Sequence, residues 1–486
     1  MAGGRVSEGG ITRQAIVAFV GLQLVMVLSS MDGTIVATAL PAITRDVGGI
    51  SRVTWVVTAY LLAQVTFMPL WGKVGDLHGR KKILLAAVVV FLVGSVACAA
   101  AQTMDQLLVA RFLQGIGGGG IGTVSMAVIA DIVPARQLGR WLGYQGIAFA
   151  VASVIGPVVG GLFVDHLSWR WAFTINVPFG FLGIGLIASQ LRIPYRRLEH
   201  ALDWSGSALL GGALVAFIVL TSLGGHDFSW LSATTVVFIV AIVGFTVAFV
   251  ARERRAPEPV MPLHMFGDPL MRVAAILNWT SGLLFWCGIF FVPLFMQEVH
   301  GVSPTSSGLM LTPVMFGAAF GTGISGRRVE RTGRIRVWPI YGAALMLAGI
   351  TLMATLTEHT PVALAAGFVL LLGTGVGFSM QPSLLAAQNA AAPTELGTVT
   401  STQLLFRMLG SLIGIPVFGG ILNAGLGDGT PTAAAFADAL PPVFLAAVPV
   451  AVLSLVVAFR LPDRPLRSTT HLEDGAPAHV LAEPLL

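Results

Sequence analysis

Apolar residues along this chain neither alternate with polar ones nor recur on one face of an otherwise polar helix. They come in runs of about 20 residues separated by short polar breaks, the length an α-helix needs to cross a bilayer core. Strands of a membrane barrel would alternate at period two; these runs do not. Segmenting the chain by runs places spans at 14–40, 52–71, 83–101, 105–129, 139–163, 171–191, 204–223, 231–251, 270–297, 303–325, 337–357, 361–383, 396–424 and 438–460. That makes fourteen, and an even count puts both termini on one side.

Charge sets the orientation. With the N-terminus inside, 23 of the 28 Lys and Arg residues fall in inner segments, from Arg5 and Arg13 through Lys73–Lys82 and Arg327–Arg336 to Arg460, Arg464 and Arg467. The outer side holds Arg45, Arg52 and Arg170, while Arg111 and Arg407 lie within spans. Under the positive-inside rule this predicts a multi-pass protein of the plasma (cytoplasmic) membrane with both termini cytoplasmic. One missed helix would scramble every later loop, so the skew also supports the count.

Composition excludes the other classes. With 55% hydrophobic and 10% charged residues and a mean hydropathy of +0.84, the chain has too much apolar surface for a soluble fold. A pI near 9.7 would point to nucleic acid in a soluble domain, but here the basic loops are spent on orientation. Cys98 and Cys287 sit inside apolar runs, which supports neither a disulfide framework nor a thiolate metal site. The nine histidines lie in loops or tails. The first run is longer than a signal-peptide core and no cleavage site follows, so it reads as the first span.

Two stretches repeat one pattern. Gly72-Lys-Val-Gly-Asp76-Leu-His-Gly79-Arg80-Lys-Lys follows the second span, and Gly326-Arg-Arg-Val-Glu330-Arg-Thr-Gly333-Arg334-Ile-Arg336 follows the tenth. If the seventh and eighth spans are an inserted hairpin, both stretches become the same loop of a six-helix half. The expected organisation is therefore an N-terminal bundle (14–191), a transmembrane hairpin (204–251), a proline-broken linker (252–269), a C-terminal bundle (270–460) and a disordered tail (461–486). The fold class is an all-α polytopic membrane protein.

Asp32 is the only acid deep within a span. Intramembrane carboxylates are costly and serve as proton carriers or cation ligands by default. Asp32 lies about 12 Å, and Arg111 about 9 Å, inward of the outer ends of their spans at 1.5 Å per residue, so the two can pair. Protonating Asp32 would then free Arg111, a coupling switch; a static pair that fixes packing is the alternative. Gln114 stands one turn from Arg111, either in a cavity wall or satisfying Asp32. Arg80 can bridge Asp76 to Asp131 at the inner end of the fourth span. Gly143, Gly156, Pro157, Gly160 and Gly161 let the fifth span approach its neighbours. Gly115-Ile-Gly-Gly-Gly-Gly120 fits a dinucleotide fingerprint but lies inside a span with no preceding strand, and is rejected as one. Arg407 could bind an anionic group, join a gate or bond backbone carbonyls. Tyr60, Gln114, Asn278, Phe285, Trp286 and Met380, with Arg407, are candidate cavity residues by position and type.

The Gly-x-x-Gly-Asp-x-x-Gly-Arg-Lys stretch after the second span resembles the signature loop of the major facilitator superfamily. Met31-Asp32-Gly-Thr34 with Pro41, Trp55-Val-Val-Thr-Ala-Tyr60, Arg111-Phe-Leu-Gln-Gly115, Gly156-Pro-Val-Val-Gly-Gly161 and Trp169-Arg-Trp-Ala-Phe-Thr-Ile-Asn176 resemble its fourteen-helix drug:proton antiporter branch. Leu77 departs from the usual basic residue, and Ala37 and Ala152 from the usual asparagine and glycine. The resemblance implies two six-helix halves rocking about a midplane cavity. It assigns Gly72, Asp76, Gly79, Arg80 and Asp131 to a cytoplasmic gate and the span-five glycines to an antiporter motif that prevents leak. It also implies proton-driven export of lipophilic compounds, cations among them, such as antibiotics or dyes. The partners are then protons, a small-molecule substrate and the bilayer, with no cofactor, no metal, no catalytic residues and a monomeric chain. A dedicated metabolite or lipid transporter is the alternative reading, and a non-transporting receptor or scaffold a remote one.

Overall fold

A computed structural model describes residues 13–48, 53–133, 135–191, 203–224, 228–256, 259, 261, 263–301, 311–392, 395–426 and 432–466. Within them the apolar runs become helices: α1 (Arg13–Val47), α2 (Val53–His78), α3 (Arg80–Ala100), α4 (Met104–Ile132), α5 (Ala135–His166) and α6 (Trp171–Gln190, with a break at Ile175). The hairpin is α7 (Trp204–Leu223) and α8 (Ala233–Glu253). The second half is α9 (Pro269–Glu298), α10 (Leu311–Thr332), α11 (Val337–Met353), α12 (Val362–Ala390), α13 (Leu396–Leu426) and α14 (Ala433–Ala458). The 192–202 connection, the linker positions 257, 258, 260 and 262, positions 303–310 of the tenth expected span and the tail from 467 lie outside the described residues.

Ten of these helices are long and apolar enough to cross a membrane; α7 and α11 hold shorter apolar stretches, and α5 and α10 are not among either set. Packing gives a reason for the last two. α5 and α10 lie against each other across the divide between the halves, so small and polar residues on those faces meet protein rather than lipid.

Each half is built around its fourth helix. In the first, α4 packs between α2 and α3; in the second, α12 packs against α9, α10 and α11. The halves meet at α5 on α10 and at α2 and α4 on α13, and α7 leans on α2. The glycines of α4 serve this packing: a Cβ at Gly119 would lie 2.5 Å from the Gln64 carbonyl oxygen of α2, and one at Gly120 would lie 2.6 Å from Ala87 of α3.

The signature stretch is mostly helix. α2 continues through Gly72, Gly75 and Asp76 to His78, leaving Gly79 at φ +91° as the single linking residue before α3. The echo behaves alike, with α10 running to Thr332 before Gly333 at φ +69°. Among the glycines of the two stretches, these two supply the left-handed turn. Gly72 instead allows contact between halves, because a Cβ there would lie 2.7 Å from the Gly397 carbonyl oxygen.

The hairpin is clamped at its base. Asp203 caps α7 by accepting from the Gly206 N–H at 3.0 Å, and both its carboxylate oxygens accept from Arg252 Nε at 3.1 and 3.0 Å. Burial opposes the charge on Asp203, but the hydrogen bonds from Arg252, Ser205 and Gly206 outweigh it and hold the carboxyl below its ordinary range.

Candidate functional site

The deepest polar cluster is assembled by α1, α3, α4 and α6. Asp32, Ser95, Arg111 and Gln114 are fully buried and Asn176 is 1% exposed. Arg111 Nη1 donates to Asp32 Oδ2 at 2.5 Å and to Gln114 Oε1 at 2.7 Å, while its Nε donates to the Val56 carbonyl at 2.9 Å. The second carboxylate oxygen, Asp32 Oδ1, accepts from Gln114 Nε2 at 2.7 Å and Asn176 Nδ2 at 3.2 Å. Ser95 Oγ accepts from the same two amides. A Cβ at Gly94 would lie 2.5 Å from the Gln114 backbone nitrogen, so this glycine brings α3 close enough for Ser95 to join.

Aromatic faces enclose the cation. The Tyr60 ring lies 4.4 Å and the Phe173 ring 5.6 Å from the Arg111 guanidinium carbon, a favourable contact in a desolvated site. The Tyr60 hydroxyl shares a 3.0 Å hydrogen bond with Ser29. Tyr60 and Gln114 therefore belong to the Asp32 cluster. Arg111 Nη2 has no hydrogen-bond partner among the described residues, an orphan donor in an otherwise saturated network.

A second cluster ties the halves together at the arginine-rich end. Arg80 donates to Asp76 Oδ1 from Nη2 at 2.6 Å and to Asp131 Oδ1 from Nη1 at 2.6 Å. Asp76 also crosses to the other half. Its oxygens accept from the backbone N–H groups of Gly397 at 3.0 Å and Thr398 at 2.8 Å, and from the Thr398 hydroxyl at 2.9 Å. These N–H groups belong to the first turn of α13, where helix donors lack internal partners and the dipole favours an anion.

The remaining candidates separate. Gly156 is buried where α5 meets Thr34 of α1, Gly160 is buried, and Gly161 faces open space. Gly143 and Pro157 lie within α5, but their surroundings fall outside the described residues. In the second half, Asn278 donates to Gln403 Oε1 at 3.1 Å, and Arg407 Nη1 approaches Met380 Sδ at 3.7 Å. The Phe285 and Trp286 rings meet at 6.5 Å, and Trp286 continues to the exposed Phe290 ring at 5.7 Å.

Several partners were not found from sequence. Asn176 stands in a recognised motif, yet nothing in its type pointed to Asp32. Phe173 stands in the same motif with nothing to point it at Arg111, and Ser95, Gln403 and the Gly397–Thr398 turn carry no sequence signal at all.

The Major Facilitator Superfamily model matches residues 22–415. The chain belongs to the major facilitator superfamily. It is therefore a multi-pass membrane transporter of small molecules and not an enzyme. It is 35% identical over 425 residues to the multidrug transporter protein MdtP of Bacillus subtilis, covering 87% of this chain and 78% of that one. It is 34% identical over 409 residues to multidrug resistance protein 3 of the same organism, covering 84% and 80%. The solved human organic anion transporter MFSD10 superposes with a TM-score of 0.67 over 92% of this chain and all of that one, at 16% identity, a likeness of fold alone.

Proposed function

We propose that this transporter is a proton-coupled antiporter that exports lipophilic compounds by alternating access, with fourteen crossings and both termini cytoplasmic. The observation that carries the reading is Asp32, a carboxylate with no exposed surface whose charge is matched by one arginine. A proton on Asp32 removes the anion that holds Arg111. The cation then keeps only neutral acceptors, Gln114 Oε1 and the Val56 carbonyl, so the packing of α1 against α4 gains a second arrangement. A two-state element of this kind is what coupling requires.

The Asp76 contacts supply the other part. With Asp76 on the first turn of α13 the arginine-rich ends of the halves are latched, which leaves the opposite ends as the way out. Substrate loads when the latch is open and leaves when it is closed, with a proton entering to reset Asp32. Gly156 and Gly160 keep α5 close to its neighbours and limit leak during the exchange. Export as the direction draws on the names carried by the Bacillus relatives.

The test is substrate-evoked proton movement in proteoliposomes of purified protein. The parent is expected to move protons when a lipophilic dye is added across the membrane. Asp32→Asn, which keeps the shape and the amide contacts, is expected to bind the dye without moving protons. Proton exchange surviving in Asp32→Asn would remove the carboxylate from the mechanism.

A further inference from the structure

Deep charge in the second half has one sign. Arg407 lies eleven residues into α13, about 16 Å from its arginine-rich end at 1.5 Å per residue, close to mid-bilayer depth. It is half-buried, reaching from α13 past α9 toward α12. Gly282 of α9 lets α13 come close at this level, since a Cβ there would crowd the Arg407 carbonyl oxygen and lie 3.1 Å from its Cγ. Among the described residues the hydrogen-bond contact of its guanidinium is Met380 Sδ at 3.7 Å. A thioether is a weak acceptor and neutralises nothing.

A second unspent donor stands beside it. Gln403, four residues earlier and so on the same helix face, is fully buried; its Oε1 accepts from Asn278, and its Nε2 has no partner among the described residues. None of the described acids of this half answers them. Asp268, Glu298, Glu330, Glu358, Glu395, Asp438 and Asp463 lie within two turns of a helix end or between helices, Asp268 is paired with Arg464, and Asp438 is exposed. An unmatched cation at this depth is costly, and no described residue supplies its counter-charge. The first half offers a cationic substrate no anchor either, because both oxygens of Asp32 are occupied by Arg111, Gln114 and Asn176.

We propose that Arg407, assisted by the Gln403 amide, is the anchor for an oxyanion on the substrate, so that the exported class is amphipathic organic anions: a carboxylate or sulfonate on a lipophilic body. This rests on the transport reading above and names its substrate class. The guanidinium supplies a charge-assisted, two-pronged donor set, Gln403 Nε2 adds a third donor one turn away, and the Met380 thioether gives a soft wall for the apolar part.

The experiment uses the full chain in nanodiscs with no pH gradient. Equilibrium binding of fluorescent dansylaminoundecanoate is compared with its uncharged methyl ester and with a trimethylammonium analogue of equal chain length, after subtraction of empty discs. The parent is expected to prefer the acid over the ester by about tenfold or more and to bind the cation most weakly. Arg407→Lys is expected to keep a reduced preference. Arg407→Gln is expected to lose it, binding acid and ester alike. Equal binding of acid and ester by the parent, a preference for the cation, or an unchanged preference in Arg407→Gln would each overturn the assignment. The first two outcomes require no variant to fold. Because no gradient is applied, the preference can fail while Asp32-dependent proton exchange stands, and the reverse.

Discussion

Each half of this transporter carries one arginine at depth, and the two are treated in opposite ways. Arg111 has no exposed surface, pairs with Asp32 and lies between two aromatic rings. Arg407 is half-buried, has no described carboxylate and touches a thioether. A charge answered from within the chain is part of the packing and can act only when its partner changes state. A charge left unanswered waits for a partner that arrives from outside. On the readings proposed above, the first half responds to a proton and the second to a ligand.

Breaking each arginine in turn gives the largest expected contrast. Arg111→Ala strands a buried carboxylate with only amide donors and is expected to cost roughly 3–5 kcal/mol, seen as a steep loss of melting temperature in detergent. Arg407→Gln removes an unmatched charge and is expected to melt at or above the parent. Equal losses in the two variants would erase the distinction. Pairing Arg111→Gln with Asp32→Asn should recover most of the stability lost by Arg111→Ala, because it leaves no lone charge.

The Asp76 cluster, proposed above as a latch, allows a similar comparison between the repeated stretches. Arg80 is 10% exposed between two carboxylates, whereas Arg334, at the matching place in the echo, is exposed. Asp131 is the penultimate residue of α4, and the penultimate residue of α12 is Asn389, which donates instead to the Pro465 carbonyl at 3.2 Å. Asp76→Asn is expected to weaken the latch by about 1–3 kcal/mol. Ser401, fully buried under Gly72, reports on this. A Ser401→Cys thiol should be alkylated about tenfold faster for each 1.4 kcal/mol lost. Arg334→Gln should leave that rate unchanged.

The smallest effect is expected at the opposite end, where Arg170 Nη1 donates to Asp46 at 2.6 Å in an exposed pair. Hydrogen bonds from Arg170 and then Trp169 hold the Asp46 carboxyl below its ordinary range. Its stabilising contribution is therefore present above the unfolded carboxylate pKa of about 3.9 and is lost only as pH falls through the lower folded value. The melting difference between the parent and Asp46→Asn should be small, equal near neutrality and at about pH 5, and reduced by molar salt. A pH response of transport in that window must then come from another group.

Much of the helical layout was readable before any coordinates, because a membrane-crossing run is a property of consecutive residues. The meeting of Asp32 with Arg111 was readable as well, since depth along two helices is arithmetic once the ends are known. The extent of the signature stretch was not. Gly72 and Gly75 look like turn residues in one dimension, yet both continue α2: α13 packs too close to Gly72 to admit a side chain, while Gly75 faces Val124 of α4. The companions of Asp32 were equally hidden: Ser95 and Asn176 are uncharged, common and distant in sequence. The Asp76 acceptor site on α13 was invisible for another reason, since its donors are backbone N–H groups that any residue would supply.

What the sequence determined by itself is therefore the class of molecule, the places where helices run and the few charges that enter them, all fixed by the cost of polar groups in hydrocarbon. What only the tertiary structure decided is which of those charges are satisfied. Pairing depends on contacts between helices far apart in the chain, and the same residue type, arginine, becomes a sealed ion pair in one half and an open donor in the other.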